Sequence, residues 1–253
     1  MDGGGGQGGA AVIALVGPGR VGQVFLRGLQ GEEVVAVGRG DMLPAAESYL
    51  ICVPTGSLSS LPGLPPAACI YVQNGVLPLH PESTYGILYF AAKDRSGHAV
   101  SGADSLFYGP HAAQAVGWLE RAGVAAKVVE DQALFRKEQG IKVGWLAAFG
   151  LLGERYGERV EQSLEREELG LLAQEIAPIL GAALDVSIGA EELEQRWRAY
   201  AGRIPAWTAR VNDFPWRNGW LLQQAARTGR PAALQQQLLA ATGRSDLPPS
   251  QRA

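Results

Sequence analysis

A glycine-rich turn near the start of the chain has the residue spacing that holds the pyrophosphate of a dinucleotide. Gly17, Gly19 and Gly22 fit the pattern G-x-G-x-x-G, directly after an apolar run and before an expected helix. The first glycine permits the tight turn, the second lets the backbone approach a pyrophosphate, and the third lets helix and strand pack closely. The cofactor contacts expected here are Gly17, Pro18, Gly19, Arg20, Val21 and Gly22. The alternative is a glycine-rich turn that binds no ligand.

The residue that distinguishes NADP from NAD is expected about 20 residues beyond these glycines. Arg39 stands there, after an expected strand, in the sequence VGRGD. An arginine at this place suits the 2′-phosphate of NADP, whereas NAD requires an acidic residue that binds the ribose hydroxyls. Arg39 therefore favours NADP. Asp41, two residues later, is an acidic residue that competes with this assignment. The alternative interpretation of Arg39 is a solvated surface arginine.

Short apolar runs separated by glycine and proline must form the elements that position this loop. They predict strands at residues 11–16, 33–37, 49–53, 69–72, 87–91, 105–108 and 126–129, with helices at 23–29 and 111–122. Runs that are apolar throughout are typical of a parallel sheet covered on both faces. The proline-rich link at residues 54–66 leaves room for only a turn of helix.

The second half of the chain has helical periodicity instead. Helices are predicted at residues 132–152, 160–184, 190–201, 218–226 and 232–241. The composition changes near residues 130 and 131. The sequence therefore predicts an α/β fold, with an N-terminal Rossmann-type, doubly wound parallel sheet at residues 10–130 and a C-terminal all-helical domain at residues 131–244. Residues 1–9 and 245–253 are expected to be flexible tails.

The composition of the 253 residues excludes several classes of protein. An apolar fraction of 47% excludes a disordered chain, and a net charge of −3 argues against a nucleic-acid partner. No run approaches the roughly 20 apolar residues of a membrane span, so we expect no membrane partner. Two cysteines cannot form a disulfide framework and fit the cytoplasm or another reducing compartment. No metal-ligand spacing occurs, and we expect no metal.

Over roughly residues 11–240 the sequence resembles the ketopantoate reductase family. The resemblance is carried by GPGRVG with VGRG after it, by YVQNGV at residues 71–76, by LFRK at 134–137 and by DFPWRNGWLL at 213–222. It implies a two-domain reductase in which the N-terminal Rossmann domain binds NADPH. The C-terminal helical domain would close a cleft over a small 2-oxo acid and could supply a homodimer interface.

The resemblance also implies roles for single residues. Asn74 would lie near the nicotinamide ribose and the substrate, and Lys137 would match the catalytic lysine of the family. Asp213 falls where the family has a glutamate in its catalytic site. Val53 and Gly75 complete the expected cofactor contacts.

The chemistry of a ketone reduction agrees with a lysine in this role. Hydride transfer to a ketone creates negative charge on its oxygen, which a cationic proton donor can neutralise. Only four of the 22 basic residues are lysines, and lysine can release a proton whereas arginine effectively cannot. Lys142 lies five residues after Lys137, about 140° around the helix, so both cannot point into one site. A solvated helix lysine is the alternative for either residue.

The substrate half departs from the family pattern. The family has asparagines four and eight residues after its lysine, where this chain has Ile141 and Trp145. The family's substrate-binding serine has only Thr208 nearby. The sequence therefore predicts an NADPH-dependent reductase of a small 2-oxo acid or related ketone. The alternative is a catalytically inactive NADP-binding sensor, scaffold or assembly factor, which a solvent-facing Lys137 would favour.

Overall fold

Nine strands and eight helices make up the part of the chain that the computed structural model describes, residues 12–243. The tails expected at residues 1–9 and 245–253 lie outside the described residues. The strands are β1 (Val12–Val16), β2 (Glu33–Val37), β3 (Ser48–Ile51), β4 (Cys69–Val72), β5 (Thr84–Ile87), β6 (Phe90–Ala91), β7 (Val100–Ser101), β8 (Ser105–Tyr108) and β9 (Ala126–Val128). The helices are α1 (Arg20–Gly28), α2 (Ala112–Arg121), α3 (Gln132–Tyr156), α4 (Val160–Ser163), α5 (Glu167–Leu184), α6 (Ala190–Ala201), α7 (Asn218–Thr228) and α8 (Ala233–Ala241).

Seven of the strands form one sheet in the order β2-β1-β3-β4-β5-β8-β9. The first five are parallel, as predicted, but β8 pairs with β5 in the antiparallel sense, and β9 runs parallel to β8. The strand predicted at residues 87–91 is also divided: β5 ends at Ile87, and β6 pairs with β7 in a separate hairpin. Because this hairpin replaces a crossover helix between β5 and β8, the chain returns in the opposite direction.

The strand order predicts a ligand site at the carboxyl ends of β1 and β3. The chain runs from β1 outward to β2 and then crosses to the other side of β1 to form β3. In open α/β sheets, ligands bind at such a switch point, outside the carboxyl ends of the strands. The link after β3 contains two short 3₁₀ turns, Thr55–Ser60 and Pro66–Ala68, in place of a long crossover helix.

The helical half begins with α3, which has a defined cap at each end. The Asp131 carboxylate accepts hydrogen bonds from the backbone N–H groups of Ala133 and Leu134, at 2.8 and 3.3 Å. Gly157, with φ +67°, ends the helix four residues later than predicted.

The helix predicted at residues 160–184 is instead two helices. Buried Glu158 holds the turn between them, because its carboxylate accepts hydrogen bonds from Ser163 at the end of α4 and from Arg166 just before α5.

The predicted domain boundary at residues 130 and 131 falls between β9 and α3, and one hydrophobic core extends across it. Tyr85, Ile87 and Leu106 from the sheet pack in the same buried cluster as the apolar residues of α3, α5 and α6. The sheet therefore presents its carboxyl edge to the helical half at a fixed position. Within the described part of the chain, none of the helices has the length and hydropathy that crossing a bilayer requires.

Candidate active site

The glycine loop between β1 and α1 has the geometry of an anion-binding turn. Gly17 has φ +91°, which an L side chain rarely adopts, and its N–H donates to Val37 O at 2.9 Å. A Cβ on Gly22 would collide with Gly17 O, whereas a Cβ on Gly19 would meet nothing within 4 Å. Gly19 caps α1 without a side chain, and the first turn of this helix contains no acidic residue. Its N–H groups are therefore free for an anion, with open space beside them.

The other expected cofactor contacts lie along the same edge of the sheet. Val53, just after β3, packs against Gly17, and a Cβ on that glycine would lie 2.9 Å from Val53 Cγ1. Arg39 is exposed in the turn that follows β2. The Asp41 carboxylate accepts a hydrogen bond from the Gly38 N–H at 2.7 Å and so closes this turn. Gly75 follows Asn74 beyond β4.

A cleft of about 290 Å³ separates the glycine loop from the helical half. Arg20, Val21 and Asn74 line it from the Rossmann side. Lys142 and Arg217 line it from the helical side. None of the described residues that line the cleft is acidic, so its electrostatic potential favours anionic ligands.

Lys142 is the buried cation of this cleft. Its side chain extends from α3, and the residue is only 4% exposed. Its Nζ donates a hydrogen bond to Tyr200 Oη at 3.2 Å and lies 4.2 Å from the centre of the Tyr200 ring and 4.8 Å from that of Tyr89. Burial, with a smaller contribution from the charge on Arg217, lowers the pKa of Lys142 to about 7. No carboxylate in residues 12–243 forms an ion pair with it.

Lys137 is placed differently. Its Nζ lies 2.6 Å from Glu192 Oε1, and a quarter of its side chain is exposed. It is not among the residues that line the cleft, so the structure brings Asn74 together with Lys142 and not with Lys137. The helical rotation of about 140° between the two lysines is the reason: α3 turns one of them into the cleft and the other toward α6.

Asp213 lies beside the cleft rather than in it. It precedes the 3₁₀ turn Phe214–Trp216 with φ +48°, and its Oδ2 accepts a hydrogen bond from Arg217 Nη2 at 3.2 Å. The Arg217 side chain lines the cleft and is only 12% exposed. Burial lowers the pKa of Arg217, and the Asp213 carboxylate opposes this shift. Asp213 therefore acts on the cleft through Arg217.

Two buried polar atoms of residues that line the cleft have no hydrogen-bond partner within the described chain. They are Asn74 Oδ1 and Trp145 Nε1. Leaving such a group unpaired in a buried position costs about 1–3 kcal/mol, so a ligand that supplies partners is favoured there. An unpaired amide beside an uncapped helix N-terminus suits a dinucleotide that extends from the glycine loop into the cleft. Among residues 12–243, no group of His, Cys, Asp and Glu side chains could hold a metal ion.

The sequence contains a signal for the burial of Lys142. Lys142 is the single charged residue in the stretch IKVGWLAAFGLLG, residues 141–153. Lys137 stands between Arg136 and Glu138 in a charged segment. A lone charge inside an apolar helix segment is buried with the segment. Counted from Lys142, the two positions at which the ketopantoate reductase family has asparagines are Leu146 and Gly150.

No family model and no curated protein matches the sequence. Solved structures do match the fold. A PanE/ApbA family ketopantoate reductase from Ralstonia eutropha JMP134 is 16% identical, with a TM-score of 0.68, and the match covers 91% of this chain and 97% of that one. A 2-dehydropantoate 2-reductase from Methylococcus capsulatus is also 16% identical, with a TM-score of 0.65 and coverages of 93% and 99%. A D-mandelate dehydrogenase, solved with NADH and anilino(oxo)acetate, is 12% identical, with a TM-score of 0.70 and coverages of 91% and 97%.

These matches extend over almost the whole length of both chains in each pair. They confirm, at the level of the fold, the resemblance that the glycine loop and the segment YVQNGV indicated. They also agree with a mostly parallel sheet followed by a helical half. The chain therefore has the ketopantoate reductase fold.

Proposed function

We propose that the protein is an NADPH-dependent reductase of 2-oxo acids or related ketones. The observation that carries this proposal is Lys142, a buried lysine that shares a cleft with Asn74 and has a pKa of about 7. A cation without a carboxylate partner is costly to bury, and strongly perturbed groups of this kind concentrate at functional sites. The fold shared with ketopantoate reductases and a D-mandelate dehydrogenase supports the same reaction class.

The residues present fit a nicotinamide dinucleotide. The N–H groups of the uncapped α1 would bind the pyrophosphate beside Gly19, and Asn74 would bind the ribose at the nicotinamide end. Arg39 would bind a 2′-phosphate, since Asp41 is already engaged with the backbone of the turn. The preference for NADP over NAD rests on this arginine. When bound, the cofactor supplies the hydride for the reduction.

Lys142 supplies the proton in this proposal. As hydride reaches the carbonyl carbon, its oxygen becomes an alkoxide, and the Nζ of protonated Lys142 stabilises this charge and transfers a proton to it. A pKa near the working pH makes the lysine a better acid than an exposed one. The hydrogen bond to Tyr200 Oη and the packing of Tyr89 fix the position of Nζ.

The test compares two methionine variants in steady-state NADPH oxidation with a panel of 2-oxo acids. Lys142→Met should lower kcat by about 10²–10⁴-fold with little change in NADPH affinity, the contribution typical of general acid catalysis. Lys137→Met is the matched control and should retain activity, because Lys137 pairs with Glu192 outside the cleft. In the unmodified protein, kcat should fall as the pH rises above about 7, because the donor must be protonated. Full activity of Lys142→Met would refute the assignment.

Tight NADPH binding with no turnover of any ketone would instead support the second candidate, a catalytically inactive NADP-binding sensor, scaffold or assembly factor. Lys137 is paired with Glu192 rather than directed to solvent, so it favours neither candidate, while the position of Lys142 favours the enzyme. The homodimer expected through the helical domain remains a prediction. A ketopantoate reductase from Staphylococcus aureus with this fold is described as dimeric. Light scattering of the purified protein would determine the oligomeric state.

A further inference from the structure

One wall of the cleft is largely apolar. Leu146 lies one helical turn after Lys142 and is only partly buried, whereas its helix neighbours Val143 and Ala147 are 0% exposed. Because Leu146 also lines the cleft, its remaining surface faces the ligand space. Trp145 lies beside it, stacked on a second aromatic ring with centroids 4.7 Å apart. The surface that Leu146 exposes here is therefore carbon, and Trp145 adds its ring together with one unpaired indole N–H.

Trp207 and Ile204 continue the apolar surface from the segment after α6. A small polar substrate against this surface would leave its hydroxyl groups without partners, which is unfavourable for each buried group. A bulky apolar group would instead remove carbon surface from water on both sides. Thr208 and Asn212 also line the cleft, so it is the part formed by Leu146, Ile204 and Trp207 that favours an apolar group over one that carries hydroxyls.

Arg217 provides the opposite kind of contact. Its side chain is only 12% exposed. Within the described chain this side chain nevertheless donates only one hydrogen bond, from Nη2 to Asp213 Oδ2 at 3.2 Å. A guanidinium has five N–H donors in a planar fork that matches a carboxylate. The remaining donors lie at the cleft, close enough to Lys142 for its charge to lower the lysine pKa. A carboxylate adjacent to a carbonyl would therefore meet Arg217 while the carbonyl meets Lys142.

We propose that the cleft selects 2-oxo acids with a bulky apolar side chain, preferably an aromatic one. Arg217 binds the carboxylate, and Trp145, Leu146 and Trp207 contain the side chain. This inference rests on the proposed reductase function and deepens it by naming the substrate class. Arg217 thereby becomes a specificity-determining residue of this chain.

The test measures ligand binding without turnover. The protein is saturated with NADP⁺, which cannot deliver a hydride, and titrated by calorimetry with phenylpyruvate, its methyl ester and pyruvate. Phenylpyruvate should bind about tenfold or more tightly than pyruvate, because the phenyl group is buried. It should also bind about tenfold or more tightly than the ester, which lacks the charge that Arg217 would pair with.

Variants assign the charge effect to Arg217. Arg217→Met should weaken binding of phenylpyruvate about tenfold or more and leave binding of the ester unchanged, so the acid and the ester would bind alike. Arg217→Lys should retain part of the difference because it keeps the charge. Arg198→Met is the matched control: it removes another i,i+4 ion pair, with Glu194 on α6, and should leave all three affinities unchanged. Thermal unfolding of each variant establishes that it is folded.

The possible outcomes separate this inference from the proposed function. In the unmodified protein, pyruvate that binds as tightly as phenylpyruvate, or an ester that binds like the acid, would overturn the inference while leaving the reductase intact. The absence of any 2-oxo acid binding to the NADP⁺ complex would also overturn it. Failure to bind NADP⁺ would refute the proposed function and, with it, this inference. Preferential, Arg217-dependent binding without reduction would support the ligand class and refute the reductase.

Discussion

Replacing Lys142 with methionine should stabilise the fold at neutral pH, although it removes the proposed proton donor. Burial lowers the pKa of this lysine from 10.5 to about 7. That difference corresponds to about 5 kcal/mol by which the folded state disfavours the charged form. Methionine has a similar length, carries no charge and packs well against aromatic rings. The Tyr200 hydroxyl would lose its partner at a cost of about 1 kcal/mol, so a net gain of a few kcal/mol remains.

The difference in stability between the unmodified protein and Lys142→Met should depend on pH. Between pH 7 and 10.5 the unfolded chain holds the Lys142 proton more tightly than the folded protein does, so the free energy of unfolding rises with pH in this range. Below pH 7 both states are protonated and the full cost is present. From pH 7 to pH 9 the unmodified protein should therefore gain about 2 kcal/mol that Lys142→Met does not. The stability gap between the two proteins should shrink by the same amount.

Urea unfolding of both proteins at pH 7 and pH 9 measures this gap directly. Lys137→Met is the control, since its partly exposed ion pair with Glu192 contributes at most about 1 kcal/mol at either pH. Other groups that titrate above pH 7 act equally in all three proteins and cancel in the comparison. A gap between Lys142→Met and the unmodified protein that stays constant from pH 7 to pH 9 would refute the reasoning.

Three further predictions concern the cofactor and the pair beside the cleft. Gly19→Ala should leave the urea midpoint nearly unchanged but weaken NADPH binding about tenfold or more. Gly22→Ala should instead destabilise the fold by about 1–3 kcal/mol, because its Cβ collides with Gly17 O. Arg39→Ala should weaken NADPH binding about tenfold or more and leave NADH binding unchanged, as fluorescence titration would show; an equal loss for both would contradict the NADP assignment. Asp213→Asn should tighten binding of a 2-oxo acid to the NADP⁺ complex, because Arg217 loses its counter-charge; a lower kcat with unchanged affinity would point to a direct catalytic role for Asp213.

The sequence predicted the cofactor half of the fold well because its signals are local. The spacing of Gly17, Gly19 and Gly22 depends on backbone geometry within a single turn, and the apolar runs around it define strands by their own periodicity. The predicted strands at 33–37, 69–72 and 105–108 agree with the structure residue by residue. The antiparallel direction of β8 did not follow from the sequence, because strand direction depends on a connection whose path is set by packing.

The choice between two lysines shows most clearly what the sequence alone determined about this protein. It established that Lys137 and Lys142 lie on one helix and point in directions about 140° apart, since helical geometry fixes that angle. It could not establish which direction faces the cleft. That was decided by Tyr89 and Tyr200, which contact Lys142 from positions 53 residues before and 58 residues after it. The charge of Arg217, just before α7, then contributes to lowering the pKa of Lys142. Burial and charge at a point in space are sums over distant parts of the chain, and only the tertiary structure brings those parts together.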